Sequence, residues 1–385
     1  MMRRRNAAAC SLMAAAILCL LAGASLRAGQ GAPTPSSDAS PVSEQYFKNI
    51  QVLKGMPVDT FFDAMGMFAA SMGNDCTFCH AKEAGFRREA FAETTPRIQR
   101  ARQMIGMMQA LNEQYFGGRP RVTCFTCHRG QYAPVSAPSF LIQYGVPTED
   151  PDIIDFPTEQ GVSADQVFDR YLTAIGGTAA LAKITSFVAT GTYAGFDTGQ
   201  EEVPVQIFAK APNQRTWIVK LPQGDSYRVF DGVNGWIAGP DSPAPLFTLV
   251  TGNLDRARIE AILAFPAAIK QLYPRWRAGR TLIDDRDVIV MQGTAPGLLP
   301  VNLYFDDKTD LLVRVVRWNQ TPVGPVPSEI NYGDYRTVAG IQMPFTWTAT
   351  QTYMQMTITL REVSVNVPVD SSRFAKPREF RAASR

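Results

Sequence analysis

The chain has 385 residues, 45% hydrophobic and 19% charged, with a formal net charge of +3. That length is too great for one small core and points to two or three domains, and the near-neutral charge gives nucleic acid no footing as a partner. With only two histidines in the whole chain, any chemistry built on a set of free imidazoles is excluded.

The first residues read as an address. Arg3, Arg4 and Arg5 precede an apolar run from Ala7, and small residues at Ala22, Ala24 and Ala28 offer cleavage sites. This is the pattern of a Sec-type signal peptide, expected over residues 1–28, and it places the protein in the periplasm. The apolar run is also long enough to serve as an uncleaved membrane anchor. A Pro/Ser/Gly-rich stretch over 29–44 reads as a flexible tether.

A helix is expected from Val58 to Met72, with Asp59 as an early cap and Gly73 as its stop. Phe61, Met65, Phe68 and Met72 share one stripe at helical spacing, while Met67 lies off it among Ala64, Ala70 and Ser71. The helix runs into "CTFCH" at 76–80. A second helix is expected over 94–118, with Thr95 as N-cap, Pro96 at the first position and Gly117 as the stop. Met104, Met108 and Leu111 share a face of it, bordered by Met107, and the chain then reaches "CFTCH" at 124–128. Arginine-bearing stretches at 86–89 and 97–102 read as solvated helix faces.

Of six cysteines, Cys10 and Cys19 lie in the signal, and Cys76, Cys79, Cys124 and Cys127 all belong to the two Cys-x-x-Cys-His motifs. That motif attaches c-type haem: two thiols form thioethers to the macrocycle, and the adjacent histidine ligates the iron. A redox Cys-x-x-Cys pair needs no following histidine. A zinc site fits the ligand count but not the identical repeat. Two covalent haems are therefore expected, with His80 and His128 as axial ligands. Both histidines are then spent, so each sixth ligand is a methionine or a weaker donor. Met72 is too close to Cys76 to wrap round a haem and is assigned to core packing. Met65 is preferred over Met67 at the first site, and Met104 and Met108 compete at the second. Arg87, Arg88, Arg97 and Arg129 are candidates to pair with haem propionates. Phe78 and Phe125 are candidates to pack on the porphyrin edge.

The stretches "NIQVLKGMP", "MGMFAASMGNDCTFCH", "ARQMIGMMQALN" and "VTCFTCHRG" resemble the photosynthetic reaction-centre cytochrome c subunit family over roughly residues 46–140. That family binds Met/His haems with a methionine-bearing helix, a turn and then Cys-x-x-Cys-His. The resemblance places the ligand methionines at Met65 and Met104. The family carries four haems where this chain has two motifs, so the resemblance implies electron-carrier chemistry without implying a photosynthetic role.

Residues 131–161 are proline-rich and aperiodic, and a linker is expected over 141–162. Ser163 and Gln166 form a capping box for a helix. Period-2 alternation then marks strands at 186–196, 203–212, 214–222, 286–293, 301–318 with a turn at "DDKTD", 328–338, 343–353 and 355–365. A helix over 254–271 interrupts them, with Pro266 as a kink or break. The aspartate pairs Asp284–Asp285 and Asp306–Asp307 read as turn residues. The order of elements loosely resembles lipoprotein-sorting carriers of the outer membrane.

The expected fold is thus α+β in two domains: a small helical dihaem c-type cytochrome domain over 45–140, and an antiparallel β half-barrel with a few helices over 163–385. The expected function is a non-enzymatic periplasmic carrier of single electrons that meets a redox partner protein. Lipid or envelope contact falls to the half-barrel. Two alternatives stand beside it: a lipid- or lipoprotein-binding envelope protein with haems as sensors, and a dihaem peroxidase, which would need an open iron face and a nearby acid–base group.

Overall fold

The computed structural model describes residues 40–139 and 163–378, less 86, 241 and 353, together with 143, 145, 154 and 156. The expected signal peptide, most of the tether and most of the 141–162 linker lie outside the described residues. The described residues fall in a compact unit spanning Ser36–Arg385.

The helical segment opens with a short turn, α1 (Ser43–Tyr46), followed by α2 (Val58–Met72). Gly73 ends α2 in the left-handed conformation at φ 62°, as a helix stop should. The start of α2 differs from expectation. Pro57 holds the cap position, and Asp59 is turned inward, 2% exposed, where its carboxylate accepts the backbone N–H of Val250 at 2.8 Å. A distant partner, invisible in local sequence, outcompetes the cap. Next come α3 (Cys76–Cys79), α4 (Pro96–Phe116) and α5 (Cys124–His128). Thr95 caps α4 by accepting the Ile98 N–H at 3.1 Å, and Gly117 stops it. Among the described residues no helix is long and apolar enough to cross a membrane.

After α6 (Ala164–Ala174) and α7 (Thr178–Leu181) the chain builds an open, wholly antiparallel sheet of thirteen strands. One wing holds β1 (Ser186–Gly195), β2 (Val203–Lys210), β3 (Gln214–Leu221), β4 (Gly224–Phe230), β5 (Gly235–Ala238) and β6 (Leu246–Leu249). The other holds β7 (Arg275–Ile283), β8 (Arg286–Thr294), β9 (Val301–Asp306), β10 (Leu312–Thr321), β11 (Gly324–Val338), β12 (Ile341–Gln351) and β13 (Met354–Val365). Every neighbour is also a sequence neighbour except the central pair β1–β13, which joins the wings. The edges β6 and β7 are linked by α8 (Thr251–Ala264) and a 3-10 turn at Pro266–Gln271. Pro266 breaks that helix as expected.

The α+β class and the large antiparallel sheet agree with the sequence reading. Strands β4, β5, β6 and β7 were not anticipated. β5 and β6 have only four residues each, too few for a period to show. β7, "RWRAGRTLI", carries three arginines, which suit a sheet edge that must not pair with another chain.

The apolar core lies between the sheet and the helices α6, α8 and Pro266–Gln271 and includes Phe168, Ile259, Ile269, Leu303, Phe305 and Trp347. A second core sits in the helical segment. Leu53, Met56, Ala64, Met67, Ile105 and Met108 there surround Val323 and Val326. Those valines come from the β10–β11 hairpin, whose tip reaches into the helices, and Val323 is 0% exposed. The hairpin holds its shape with the Thr321 hydroxyl, which donates to the Gly324 carbonyl at 2.7 Å.

Candidate haem-attachment sites

The first motif forms one helical turn. Asp75 caps it, accepting the Thr77 N–H at 2.9 Å. This turn puts both thiols and the following imidazole at the end of α2. The Nδ1 of His80 lies 3.0 Å from the Phe91 carbonyl oxygen. A carbonyl only accepts, so Nδ1 carries the proton and Nε2 keeps its lone pair for a metal. Burial lowers the His80 pKa, against the opposing effect of that hydrogen bond, so the ring favours its neutral, ligating form. The start of α4 clamps this motif. The Thr95 hydroxyl donates to the Cys79 carbonyl at 2.5 Å, and Arg97 donates to the Phe78 carbonyl at 2.7 Å with its guanidinium 3.9 Å from the Phe78 ring centre.

The second motif repeats the arrangement. Thr123 and Thr126 cap α5 reciprocally. The Nδ1 of His128 lies 2.9 Å from the Tyr132 carbonyl oxygen and 3.1 Å from that of Gln131, which again frees Nε2. The end of α2 packs against this motif: Gly130 donates its N–H to the Ser71 carbonyl at 3.0 Å. A Cβ at Gly73 would stand 2.2 Å from the Gly130 oxygen, so glycine is required there for the approach as well as for the turn.

Each of the methionine-bearing helices α2 and α4 has a buried face and a half-buried one. On α2, Asp59, Asp63, Ala64, Met67 and Ser71 are buried, whereas Phe61, Met65, Phe68 and Met72 are only half-buried. On α4, Ile105, Met108 and Asn112 are buried, Met104 and Leu111 half-buried, and Met107 is 49% exposed. Met67 and Met108, the competitors of Met65 and Met104, thus fill the core of the helical segment. Met72, assigned to core packing, sits instead on the half-buried stripe.

The four motif cysteines are free thiols. Burial, and for Cys76 also the charge of Asp75, pushes the thiols of Cys76 and Cys79 up, and burial takes Cys124 to about 11. A redox-active Cys-x-x-Cys pair needs a lowered thiol pKa. Among the described residues no three His, Cys, Asp or Glu side chains converge as a metal cluster would require. The half-buried Met/Phe stripe of α2, half-buried Met104 on α4, unlinked thiol pairs and imidazoles with free Nε2 form a donor set that fits covalent haem. Thioethers would run from Cys76 and Cys79, and from Cys124 and Cys127.

The arginines divide. Arg87 pairs with Glu93 at 3.2 Å, Arg88 donates to the Pro240 carbonyl at 2.6 Å and Arg97 is held at Phe78. Arg129, in the left-handed conformation at φ 51°, is exposed and makes no side-chain bond among the described residues. Phe125 is 50% exposed, and Phe78 is half-buried.

Sequence reasoning missed two features. Asn112 accepts the N–H groups of Arg121 and Val122 at 3.0 and 2.9 Å and donates to the Val122 carbonyl at 2.7 Å, tying the second motif's approach to α4. Its place at the end of "MMQALN" was the available signal. Asp63 accepts from Asn253 at 2.7 Å and Asn319 at 2.5 Å, beside the buried Arg317, whose guanidinium also donates to the Gly252 carbonyl. Burial raises the pKa of Asp63 and takes Asp59 to about 6. No local pattern announces either carboxylate.

No curated protein matches the chain. Solved structures similar to its C-terminal part include a LolA superfamily protein from Nitrosomonas europaea, with 12% identity, TM-score 0.39, and coverage of 56% of this chain and 99% of that one. Another is a domain assigned to outer-membrane lipoprotein sorting from Vibrio parahaemolyticus, at 10% identity, TM-score 0.37 and coverage of 55% and 95%. A DUF1329 family protein from Desulfovibrio piger follows at 8% identity, TM-score 0.32 and coverage of 55% and 96%. Residues 24–146, which hold both motifs and both methionine-bearing helices, match the family model of the photosynthetic reaction centre cytochrome C subunit. That likeness to a cytochrome c family points to covalently bound haem and to electron transfer.

Proposed function

We propose that the protein is an exported dihaem c-type cytochrome that carries single electrons in the periplasm, without an enzymatic activity of its own. One observation carries the reading: each Cys-x-x-Cys-His turn presents an imidazole whose Nδ1 is bound to a backbone carbonyl, beside a helix with a half-buried methionine stripe. Haem would supply a one-electron iron couple at each site. The chain's part is to hold it. Cys76 and Cys79 anchor the first group and Cys124 and Cys127 the second. His80 and His128 would ligate the irons, with ring orientations fixed by the Phe91 and Tyr132 carbonyls. Met65 and Met104 would supply the remaining ligands, thioethers that favour the reduced state. Arg129 is the arginine free to meet a propionate. The Sec-type leader delivers the chain to the compartment where thioether attachment takes place, and a redox protein there is the partner.

The lipid-carrier alternative finds less support. Apolar side chains of α6, α8 and the Pro266–Gln271 turn occupy the core beneath the sheet. A cavity of about 80 Å³ between the helices and the sheet is lined with charged side chains.

The test is a reduced-minus-oxidised spectrum of protein made with the cytochrome c maturation machinery, with a mass measurement and the near-infrared sulfur-to-iron band. Two covalent haems with that band are expected. No covalent haem would overturn the reading, and two haems without the band, with strong carbon monoxide or cyanide binding at rest, would favour a peroxidase.

A further inference from the structure

The cavity of about 80 Å³ opens between α2, α8 and the β3–β6 wing. Three arginines line it, Arg215, Arg228 and Arg256, together with three carboxylates, Asp59, Asp63 and Glu260. Glu260 is fully engaged: Oε1 accepts from Arg256 and Oε2 from Arg215, each at 2.8 Å. The Oδ2 of Asp59 accepts from Val250, and the Oδ2 of Asp63 accepts from both Asn253 and Asn319.

Donors remain over. Arg256 is 6% exposed and its Nη2 has no partner, and neither has the buried Nε of Arg215. The Arg228 guanidinium makes no hydrogen bond among the described residues and stands 5.4 Å from the Trp217 ring centre. Arg215 and Arg256 are ion-paired with Glu260, but a buried N–H without an acceptor still costs stability until one meets it. The rest of the wall is aromatic, with Phe62 and Phe247 5.3 Å apart and Trp217 behind.

We infer that this cavity binds a small planar organic carboxylate, about the size of benzoate. Arg228 takes the carboxylate through its two-pronged donor edge, which matches a carboxylate better than an ammonium would. Arg215 and Arg256 supply the surrounding positive potential. The aromatic wall takes the ring edge-on or offset.

The test is isothermal titration calorimetry on the full, haem-loaded protein with benzoate, octanoate and inorganic phosphate. Benzoate should bind at a single site. Arg228→Gln should weaken it about tenfold or more, and Arg228→Lys, which keeps the charge and loses the fork, by less. Phe247→Ala should weaken it too. No benzoate binding by the wild-type protein at millimolar concentration overturns the proposal. So does binding indifferent to both Arg228 variants, or binding of phosphate or octanoate in place of benzoate. The inference does not rest on the haems: a chain that binds benzoate yet carries no covalent haem would overturn the proposed function and leave this site standing.

Discussion

The ring of Phe78, inside the first motif, meets the ring of Tyr132, just past the second, edge to face at 5.2 Å. The carbonyl of that same Tyr132 orients His128. The two sites therefore share a wall. An aromatic pair in this geometry is worth about 1 kcal/mol beyond its buried area. A double-mutant cycle with Phe78→Leu and Tyr132→Leu, read by urea unfolding of the haem-loaded protein, should return a coupling of that order. Strict additivity would mean that the contact carries no energy.

The proposed ligand methionines, Met65 and Met104, make a separable prediction. Imidazole favours ferric iron more than a thioether does, so Met65→His and Met104→His should each lower one midpoint potential, on the order of 100 mV or more. The other should move little. Met67→Leu and Met108→Leu, core substitutions, should leave both waves in place. Spectroelectrochemical titration distinguishes the four variants, and a shift in the wrong pair would exchange the ligand assignments.

Asp63 is the hinge of a buried polar network. Asp63→Ala would strand the amides of Asn253 and Asn319 and remove a countercharge from Arg317. The expected cost is about 3 kcal/mol, because removing one partner exposes the full desolvation penalty of the others. Urea midpoints measure it. Asp63→Asn should cost clearly less, and equal losses would argue that packing, not polarity, holds the position.

Asp59 gives stability a pH dependence with a definite sign. Burial, opposed by the Val250 and Thr60 N–H groups, takes its carboxyl from an ordinary 3.8 to about 6. The folded state then holds the proton more tightly than the unfolded chain does. Its contribution is complete below about pH 4 and is lost as pH rises through about 6. Relative to the wild type, Asp59→Asn should gain on the order of 2 kcal/mol between pH 4 and 7.5, since it has no charge to bury. Parallel unfolding curves of the two proteins across that range would refute the assignment.

What the sequence disclosed follows the range of the forces involved. Helix ends at Gly73, Thr95 and Gly117 are set by neighbours within a few residues and were legible. So were the Cys-x-x-Cys-His turns and the strands with six or more alternating residues. Asp59 looked like a cap because its true partner, Val250, lies 191 positions away. Met65 was preferred over Met67 from its place on the stripe, and Met104 and Met108 stood level, because local pattern does not say which helix residues a distant segment will cover. The core takes Met67 and Met108. What covers them includes Val323, from a hairpin that belongs to the sheet.

That hairpin has a consequence in time. A chain is made from its N-terminus, so both Cys-x-x-Cys-His motifs exist long before Val323 and Val326 do. Until the last third of the protein arrives, the helices around Met67 and Met108 lack the side chains that complete their core. The four motif thiols therefore stand on an incomplete scaffold until the hairpin arrives to close it.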